Sequence, residues 1–390
     1  MANDSLADRA LDALAHLCVL AALALGVRTA RGANGWLRVP TLTEPPPLPA
    51  LSVIVPARNE ERSIARCVQS LLAQRNVDVE LIVVDDRSQD RTRTILAALA
   101  AEYPALRVVD GAPLPDGWVG KPWALVQGAR VAHNPWLLFT DADTWHAPDA
   151  CASTLAFALA HGADALTLGT YQELGSWGER AVLPTMLGLI LIATGSMAEL
   201  NDPYDCEHAL ANGQYVLVSR QAYDHLGGHE AVRGELVEDV EFARRLKRDG
   251  RYRLLVAGAG KLVRVRMYHS LHELWNGFTK NVYAGARGDL RTLLGMAASL
   301  ALVSVVPAAL ALEAVVRRRP CRAAEAVLAL GMGMAAQARG SAAAGLPRRW
   351  ALLAPVGYGV CAAVVLNSTW RVRSGRGVEW RGRRYTGDVA

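Results

Sequence analysis

The sequence predicts an α/β domain, built on a mostly parallel sheet and flanked at both ends by transmembrane or membrane-associated helices. Three observations carry that expectation. Short β-branched runs alternate with helical stretches between residues 51 and 109. Acidic residues stand where those runs end. Long Ala/Leu/Val stretches occupy the two ends of the chain, outside the mixed globular pattern. With 52% of its 390 residues apolar and 20% charged, the chain is too apolar to be disordered. The uneven distribution points to one soluble-type domain of about 240 residues carrying membrane-associated ends.

The expected organisation is an N-terminal membrane anchor (1–42), a central domain (50–285) with a membrane-surface segment near 181–200, C-terminal membrane helices (290–370) and a basic tail (371–390). The formal charge of +5 arises largely near the apolar ends and in the tail, which favours anionic lipid head groups. No basic stripe interleaved with aromatics supports nucleic-acid binding, so no nucleic-acid partner is expected. The six cysteines are scattered without a C-x-x-C pair and read as inert buried thiols of a reducing compartment.

Residues 11–27 are largely apolar but lack a basic start and a cleavage site, which fits an anchor or interfacial helix better than a signal peptide. Arg28, Arg31 and Arg38 follow, and positive residues there favour a cytoplasmic placement of the next domain, at the inner or plasma membrane. Residues 43–50 form a stiff proline linker.

The domain opens with the strand Leu51–Pro56, followed by the turn Ala57-Arg58-Asn59-Glu60 and a helix over 61–75. A second strand, Glu80–Val84, ends in Asp85 and Asp86; a helix runs to about Ala101, and a third strand covers 106–109. Such sheets bind ligands at the carboxyl ends of their strands. A Gly/Pro-rich loop over 111–123 carries Lys121, a candidate cation for a phosphate or sugar, with Trp118 and Trp123 as flat faces. The helix after it leads into Leu137–Phe139, whose apolar run ends in Thr140-Asp141-Ala142-Asp143.

The two acid pairs suit different tasks. A carboxylate beside a nucleoside accepts hydrogen bonds from ribose hydroxyls or a base N–H. One that faces phosphate repels it unless a cation lies between. Asp86 therefore reads as nucleoside recognition, with a helix-capping role for Asp85 and Ser88 as the plainer alternative. Asp141 and Asp143 read as a site for a divalent cation and a diphosphate; Mg2+ and Mn2+ take oxygen ligands and often keep a substrate phosphate in their shell.

Residues 165–170 predict another strand, and 181–200 a dense apolar run broken by Gly188, Gly195 and Ser196, read as an in-plane helix or a lipid-acceptor groove. Asn212-Gly213-Gln214 precedes the strand 215–218; Gly213 lets backbone approach a sugar closely. Glu238 and Asp239 open a helix, where the dipole favours the ionised carboxylate a general base requires. Lys261, Arg264 and Arg266 precede His269, a candidate nitrogen ligand or diphosphate donor.

Taken together, Val55-Pro56-Ala57-Arg58-Asn59-Glu60, Asp85-Asp86-Arg87-Ser88, Thr140-Asp141-Ala142-Asp143, Asn212-Gly213-Gln214 and Glu238-Asp239 resemble, in that order, the inverting family 2 glycosyltransferases of GT-A fold, over residues 50–285. The resemblance implies nucleotide-sugar binding by Pro56, Ala57, Arg58, Glu60 and Asp86, with Lys121, Asp141, Gly213, Gln214 and Glu238 on the donor side. It implies Mg2+ or Mn2+ at Asp143 and Asp141, with Asp143 the closer ligand and His269 a third candidate, and Asp239 as catalytic base. The membrane-flanked layout and Trp380–Tyr385 resemble the subgroup acting on carotenoid acids or hopanoid-related lipids, with UDP-glucose the default donor. The Q/R-x-x-R-W motif of processive polysaccharide synthases is absent from 271–280, so transfer of one sugar to a lipid is expected. A nucleotidyl- or phosphosugar transferase would need a Gly-rich basic first loop, which 57–60 replaces poorly, and a non-catalytic membrane scaffold would not require acids at three element ends.

At the C-terminal end, 292–316 reads as the best span, 323–346 as weaker because Glu325, Gln337 and Arg339 interrupt it, and 350–366 as a third. With three spans the tail lies opposite the domain; with two, residues 376–385 return to the catalytic side, where their arginines meet lipid phosphate or the donor.

Overall fold

The computed structural model describes residues 6–380 and 383–385. Helix α1 (Leu6–Gly32) leads to an extended stretch that lies against the sheet: Gly258 N donates to Leu37 O at 2.8 Å and Val39 N to Gly258 O at 3.1 Å. The proline-rich residues 43–50 form no helix or strand, as fixed φ angles and missing N–H groups dictate. They deliver the chain to β1 (Leu51–Ala57). Alternation then follows through α2 (Ile64–Leu72), β2 (Val79–Asp85), α3 (Thr92–Glu102), β3 (Leu106–Asp110), α4 (Gly120–Val131) and β4 (Trp136–Phe139). Next come β5 (Thr144–His146), α5 (Ala150–Ala160), β6 (Ala165–Gly169), β7 (Tyr171–Gln172), α6 (Trp177–Thr194) and α7 (Met197–Asn201). The domain ends with β8 (Val216–Ser219), α8 (Arg220–His225), α9 (Glu238–Asp249), β9 (Leu254–Gly258) and β10 (Val263–Val265).

The main sheet has the order β3-β2-β1-β4-β8-β6-β9. It is parallel except at β8, which runs antiparallel to both β4 and β6. Alternate side chains supply two apolar layers. Val53, Val55, Leu81 and Val83 pack under α2, α3 and α5, while Ile54, Ile82, Val84 and Phe139 pack under α4, α8 and α9. A small second sheet, β5-β10-β7, stands beside the strand ends. Its pairing of Val265 with Thr144 brings the residues after β10 next to those before β5, which is what sets His269 near Asp143.

Helix α10 (Leu271–Gly285) leads to α11 (Leu290–Leu302), α12 (Val305–Val316), α13 (Pro320–Ala343) and α14 (Ala354–Arg373), and the hairpin β11 (Val378–Trp380) and β12 (Arg383–Tyr385) follows. Residues 381–382 and 386–390 of the basic tail lie outside the described residues. Among the described residues three stretches are long and apolar enough to cross a membrane: Leu6–Gly32, Leu290–Val316 and Arg348–Arg373. The second is broken at Val303–Ser304, because Pro307 has no N–H and its ring crowds the carbonyl four residues back. At one end of this bundle Arg322, wholly buried, ties three helices together. Its Nε meets Asp12 Oδ1 at 2.7 Å, its Nη1 both Glu313 oxygens at 2.9 and 2.8 Å, and its Nη2 donates to Asp8 O at 3.0 Å.

The membrane-surface segment expected near 181–200 is two helices with a different character. A Ser176–Glu179 capping box starts α6, and Gly195 at φ 106° ends it. Ala181, Val182, Leu183 and Met186 are buried against Tyr268, Phe278 and Tyr358, and only the second half of α6 is partly exposed. The first half is thus the joint between domain and membrane helices. The cysteines also differ from expectation: all are free, but Cys206 and Cys321 are exposed.

Candidate active site

The site forms where β1, β2 and β4 end. Two facing turns make its first wall. Asn59 (φ 54°) and Arg87 (φ 55°) both adopt the left-handed conformation, which is uncommon for a side chain as large as arginine and is held only by surrounding bonds. Those bonds are present. Asn59 N donates to Ser88 Oγ at 3.0 Å, Gln89 N to Asn59 Oδ1 at 2.8 Å and Glu60 N to Thr92 Oγ1 at 2.8 Å. Arg58 Nη1 donates to Asp86 O at 2.6 Å, and Asp86 N to Ala57 O at 2.7 Å.

This lattice revises part of the expected donor set. The Ala57 side chain lies in the core and its carbonyl is occupied by Asp86, so Ala57 joins β1 to β2 instead of presenting a contact. Pro56 pairs with Val84 within the sheet. Asp85 accepts from Ser88 N at 3.3 Å and caps nothing further on; the amide of Thr92 at the start of α3 is held by Asp90. Asp86 is buried at the carboxyl end of β2, beside Arg58.

The second wall is a cluster of charges. Lys121 belongs to the first turn of α4 and not to a loop, because Pro122 sits where a helix needs no N–H. Its Nζ lies 2.8 Å from Asp141 Oδ1 and 3.0 Å from Glu238 Oε1. Glu238 and Asp239 open α9. Asp239 Oδ2 accepts from Gly213 N at 2.6 Å and Oδ1 from Val240 N at 2.9 Å, which aims its carboxylate. Gly213 is the residue this contact demands: a Cβ there would stand 2.6 Å from Lys121 Nζ and 3.1 Å from Asp239 Oδ2. Gln214, expected on the donor side, is instead buried, with its Oε1 accepting from Thr170 Oγ1 and from Gln172 Nε2, and so braces the strand β8.

Protonation equilibria follow from this crowding. Burial, then the neighbouring Glu238, pushes the Asp239 carboxyl up to about 6, against the pull of Lys121 and two amides. Burial works the same way on Glu238, but Lys121 and Lys280 hold that carboxyl below the usual range. Burial likewise opposes charge on Lys121, and Asp141, Glu238 and Asp239 outweigh it, keeping the ammonium well above its ordinary value. Lys280, on α10, is pushed down by burial in the field of the same group.

Beside the cluster lies a cavity of about 690 Å³, lined by Asn59, Glu60, Asp143, Arg266, His269 and, from α14, Arg371. The structure thus brings Asp143 and His269 to one cavity, and Asp141 to Lys121. Burial, and then the nearby Arg266, lowers the affinity of His269 for a proton. Arg264 and Arg266, expected as spare cations, pair with Glu173 at 3.5 Å and Glu179 at 3.1 Å. Among the described residues no three His, Cys, Asp or Glu side chains form a ligand set. Mg2+ and Mn2+ in phosphate chemistry are held by one or two carboxylates with phosphate and water completing the shell, and this donor chemistry suits such an ion. Trp118 and Trp123 pack edge to face at 4.9 Å, and Trp123 Nε1 donates to Ala112 O at 3.2 Å.

Lys280 and Arg371 escaped sequence reasoning. Arg371 follows an apolar stretch that reads as a span and Lys280 belongs to no motif of its own; only the packing of α14 and α10 brings them to the site.

Residues 52–227 match the glycosyl transferase family 2. The chain is 29% identical over 259 residues to 4,4'-diaponeurosporenoate glycosyltransferase of Staphylococcus aureus (strain USA300), covering 61% of this chain and 62% of that protein. The form from strain MRSA252 is 30% identical over the same length. The chain therefore spans 62% of the length of these curated relatives. Among solved structures, the mannosyltransferase PcManGT from Pyrobaculum calidifontis, in complex with GDP-Man and Mn2+, has a TM-score of 0.51 over 93% of this chain and 98% of its own, at 19% identity, a likeness of fold. The mixed sheet and its flanking helices are an α/β GT-A-like fold. The likeness to that family thus covers the strands β1, β2, β3, β4, β6 and β8 of the main sheet, and the sequence similarity to the Staphylococcus aureus glycosyltransferase extends over 259 residues.

Proposed function

We propose that the protein is an inverting glycosyltransferase that moves one sugar from a nucleotide-sugar donor, UDP-glucose by default, to a membrane lipid acceptor such as a carotenoid or hopanoid-related lipid. The carrying observation is the carboxylate of Asp239, aimed by Gly213 N at 2.6 Å and pushed up to about 6, beside a cavity that Asp143 lines. A base with that affinity accepts a proton near neutral pH. The relative's name supports an apolar acceptor ending in an oxygen nucleophile. The apolar helices packed on the domain suit a substrate held in lipid, with the domain on the cytoplasmic face, where nucleotide sugars are made.

In this reading Arg58, Glu60 and Asp86 frame the nucleoside, while Asp143, with Asp141 and His269, holds Mg2+ or Mn2+. The metal, when bound with the donor, supplies Lewis-acid neutralisation of the diphosphate. Asp239 takes the proton of an acceptor hydroxyl, or orients an acceptor carboxylate. The acceptor oxygen attacks the anomeric carbon from the face opposite the diphosphate. The bond from that carbon to the diphosphate oxygen breaks, its electron pair leaving with the diphosphate. One displacement inverts configuration, so no protein nucleophile is required. Lys121 fixes Asp141 and Glu238 around this centre and keeps Glu238 ionised.

The test uses membranes containing the intact chain, supplied with UDP- and GDP-sugars and Mg2+ or Mn2+. The expected product is an extracted lipid gaining one hexose, lost on chelation and on Asp239→Asn. Absence of both turnover and metal-dependent donor binding would overturn the proposal.

A further inference from the structure

We propose that Arg371, delivered by the last apolar helix, binds the diphosphate of the donor and holds it as it leaves. The inference rests on the donor reading above and adds a residue that none of the motifs supplies.

Three arginines line the cavity: Arg62, Arg266 and Arg371. Two of them are paired with carboxylates, Arg62 with one, Glu273, of the same cavity. Arg266 Nε lies 3.1 Å from Glu179 and Arg62 Nη1 3.6 Å from Glu273. Arg371 has no hydrogen bond or ion pair to its guanidinium among the described residues. The carboxylates of Glu60 and Asp143 line the same cavity. Carboxylates lining a cavity with one uncommitted cation suit a ligand that carries both signs of charge, and a metal-chelated diphosphate is such a ligand. The planar guanidinium with its forked donors matches phosphate oxygens better than a point charge does.

An arginine in the last turn of a helix also complements the helix dipole. Arg373 meets that need from an exposed position, whereas Arg371 is partly buried at the cavity. Its placement is built and not incidental. Ser368 Oγ donates to Thr279 O at 2.6 Å and accepts from Tyr283 N at 3.2 Å, while Asn367 Nδ2 donates to Thr279 Oγ1 at 3.0 Å, which locks α14 to α10 three residues before Arg371. Thr279 itself lines the cavity. After the helix, Gly377 N donates to Arg371 O at 3.1 Å, and Val378 is buried with Val119, Leu236 and Ala284. Val119 and Leu236 lie two residues before Lys121 and Glu238 respectively. The backbone of Arg371 is therefore pinned from both sides, against the segments that carry the charge cluster.

In the transfer step, the electron pair of the breaking bond goes to the diphosphate. Arg371 stays protonated and offers its N–H groups to the oxygens that gain charge, so no proton moves through it.

The test is isothermal titration of the intact chain in detergent with UDP or GDP and Mn2+, against uridine or guanosine alone. Arg371→Ala is expected to weaken diphosphate binding about tenfold while nucleoside binding stays unchanged, with Arg371→Lys in between. Arg371→Gln serves the same purpose should the alanine variant lose its fold. Equal binding of the diphosphate by wild type and variant would overturn the inference, as would a parallel loss of nucleoside and diphosphate binding. Nanodiscs with and without anionic lipid separate the other source of phosphate: a loss confined to lipid binding assigns Arg371 to a lipid head group and overturns it too. Failure of the wild type to bind any nucleoside diphosphate would instead overturn the donor reading itself.

Discussion

Two buried charge clusters in this chain have opposite characters. Around Arg322, one cation meets Asp12, Glu313 and Asp8, and Nε, Nη1 and Nη2 each have an acceptor within 3.0 Å. Around Lys121, one ammonium within reach of Asp141 and Glu238 leaves the adjacent Asp239 with a carboxyl raised to about 6. The first cluster is satisfied and joins helices. The second holds more negative charge than its nearest cation can neutralise, and burial, together with the neighbouring Glu238, keeps the Asp239 carboxylate ready to accept a proton. Satisfaction marks a structural device; excess marks a chemical one.

The contrast makes unequal demands on substitution. Replacing Asp239 with Asn removes the proton acceptor and keeps the shape, so turnover should fall by about a hundredfold to ten-thousandfold with thermal stability unchanged. A drop in stability with turnover intact would reverse the assignment. Arg322→Ala should do the opposite, costing on the order of 3 kcal/mol by taking the shared cation from Asp12, Asp8 and Glu313, with Arg319 left beside Asp8 and Arg317 beside Glu313, while activity per folded molecule persists. The midpoint of thermal unfolding in detergent, read beside specific activity, checks both.

The excess itself can be tuned. Asp239 works ionised, so kcat/KM should fall as pH drops through about 6. Lys121 lowers the Asp239 proton affinity, so Lys121→Met should carry that acidic limb to higher pH; an unmoved limb would remove Asp239 as the titrating group. The smallest effect belongs to Gly213→Ala. Its methyl would meet Lys121 Nζ at 2.6 Å, a flexible end that can give way. Activity should decline about tenfold through a displaced Lys121 and a bent Asp239–Gly213 bond, with stability little changed.

Much of this was legible in the chain before folding. β-branched runs ending in acids mark strand ends because a buried strand excludes carboxylates until it leaves the sheet; hence Asp86, Asp141 and Asp143 were found. The glycine-lysine-proline run at 120–122 hid the start of α4, since proline signals a break except in the first turn. The antiparallel course of β8 carries no local signal, because its apolar run reads alike in both directions. Gln214 and Ala57 show the limit of motif reading: both sit in motifs, yet Gln214 is held by Thr170 and Gln172 and Ala57 lies in the core, which no local pattern announces. Arg371 lay beyond reach for another reason: Thr279 and Asp143, which line the same cavity, are remote from it in the chain.

The contact of Leu37–Val39 with Gly258 has a consequence for how copies of this protein coexist. β9 is the outer strand of the main sheet, and a bare outer strand is a template on which another chain can add. The stretch leaving α1 occupies the end of that template with its own amides and carbonyls. At the opposite border β3 is five residues long and carries Arg107 and Asp110. A protein crowded with its fellows in a two-dimensional sheet of lipid meets them at high local concentration and in fixed orientation. Blunting both borders narrows the edge on which another copy could add a strand.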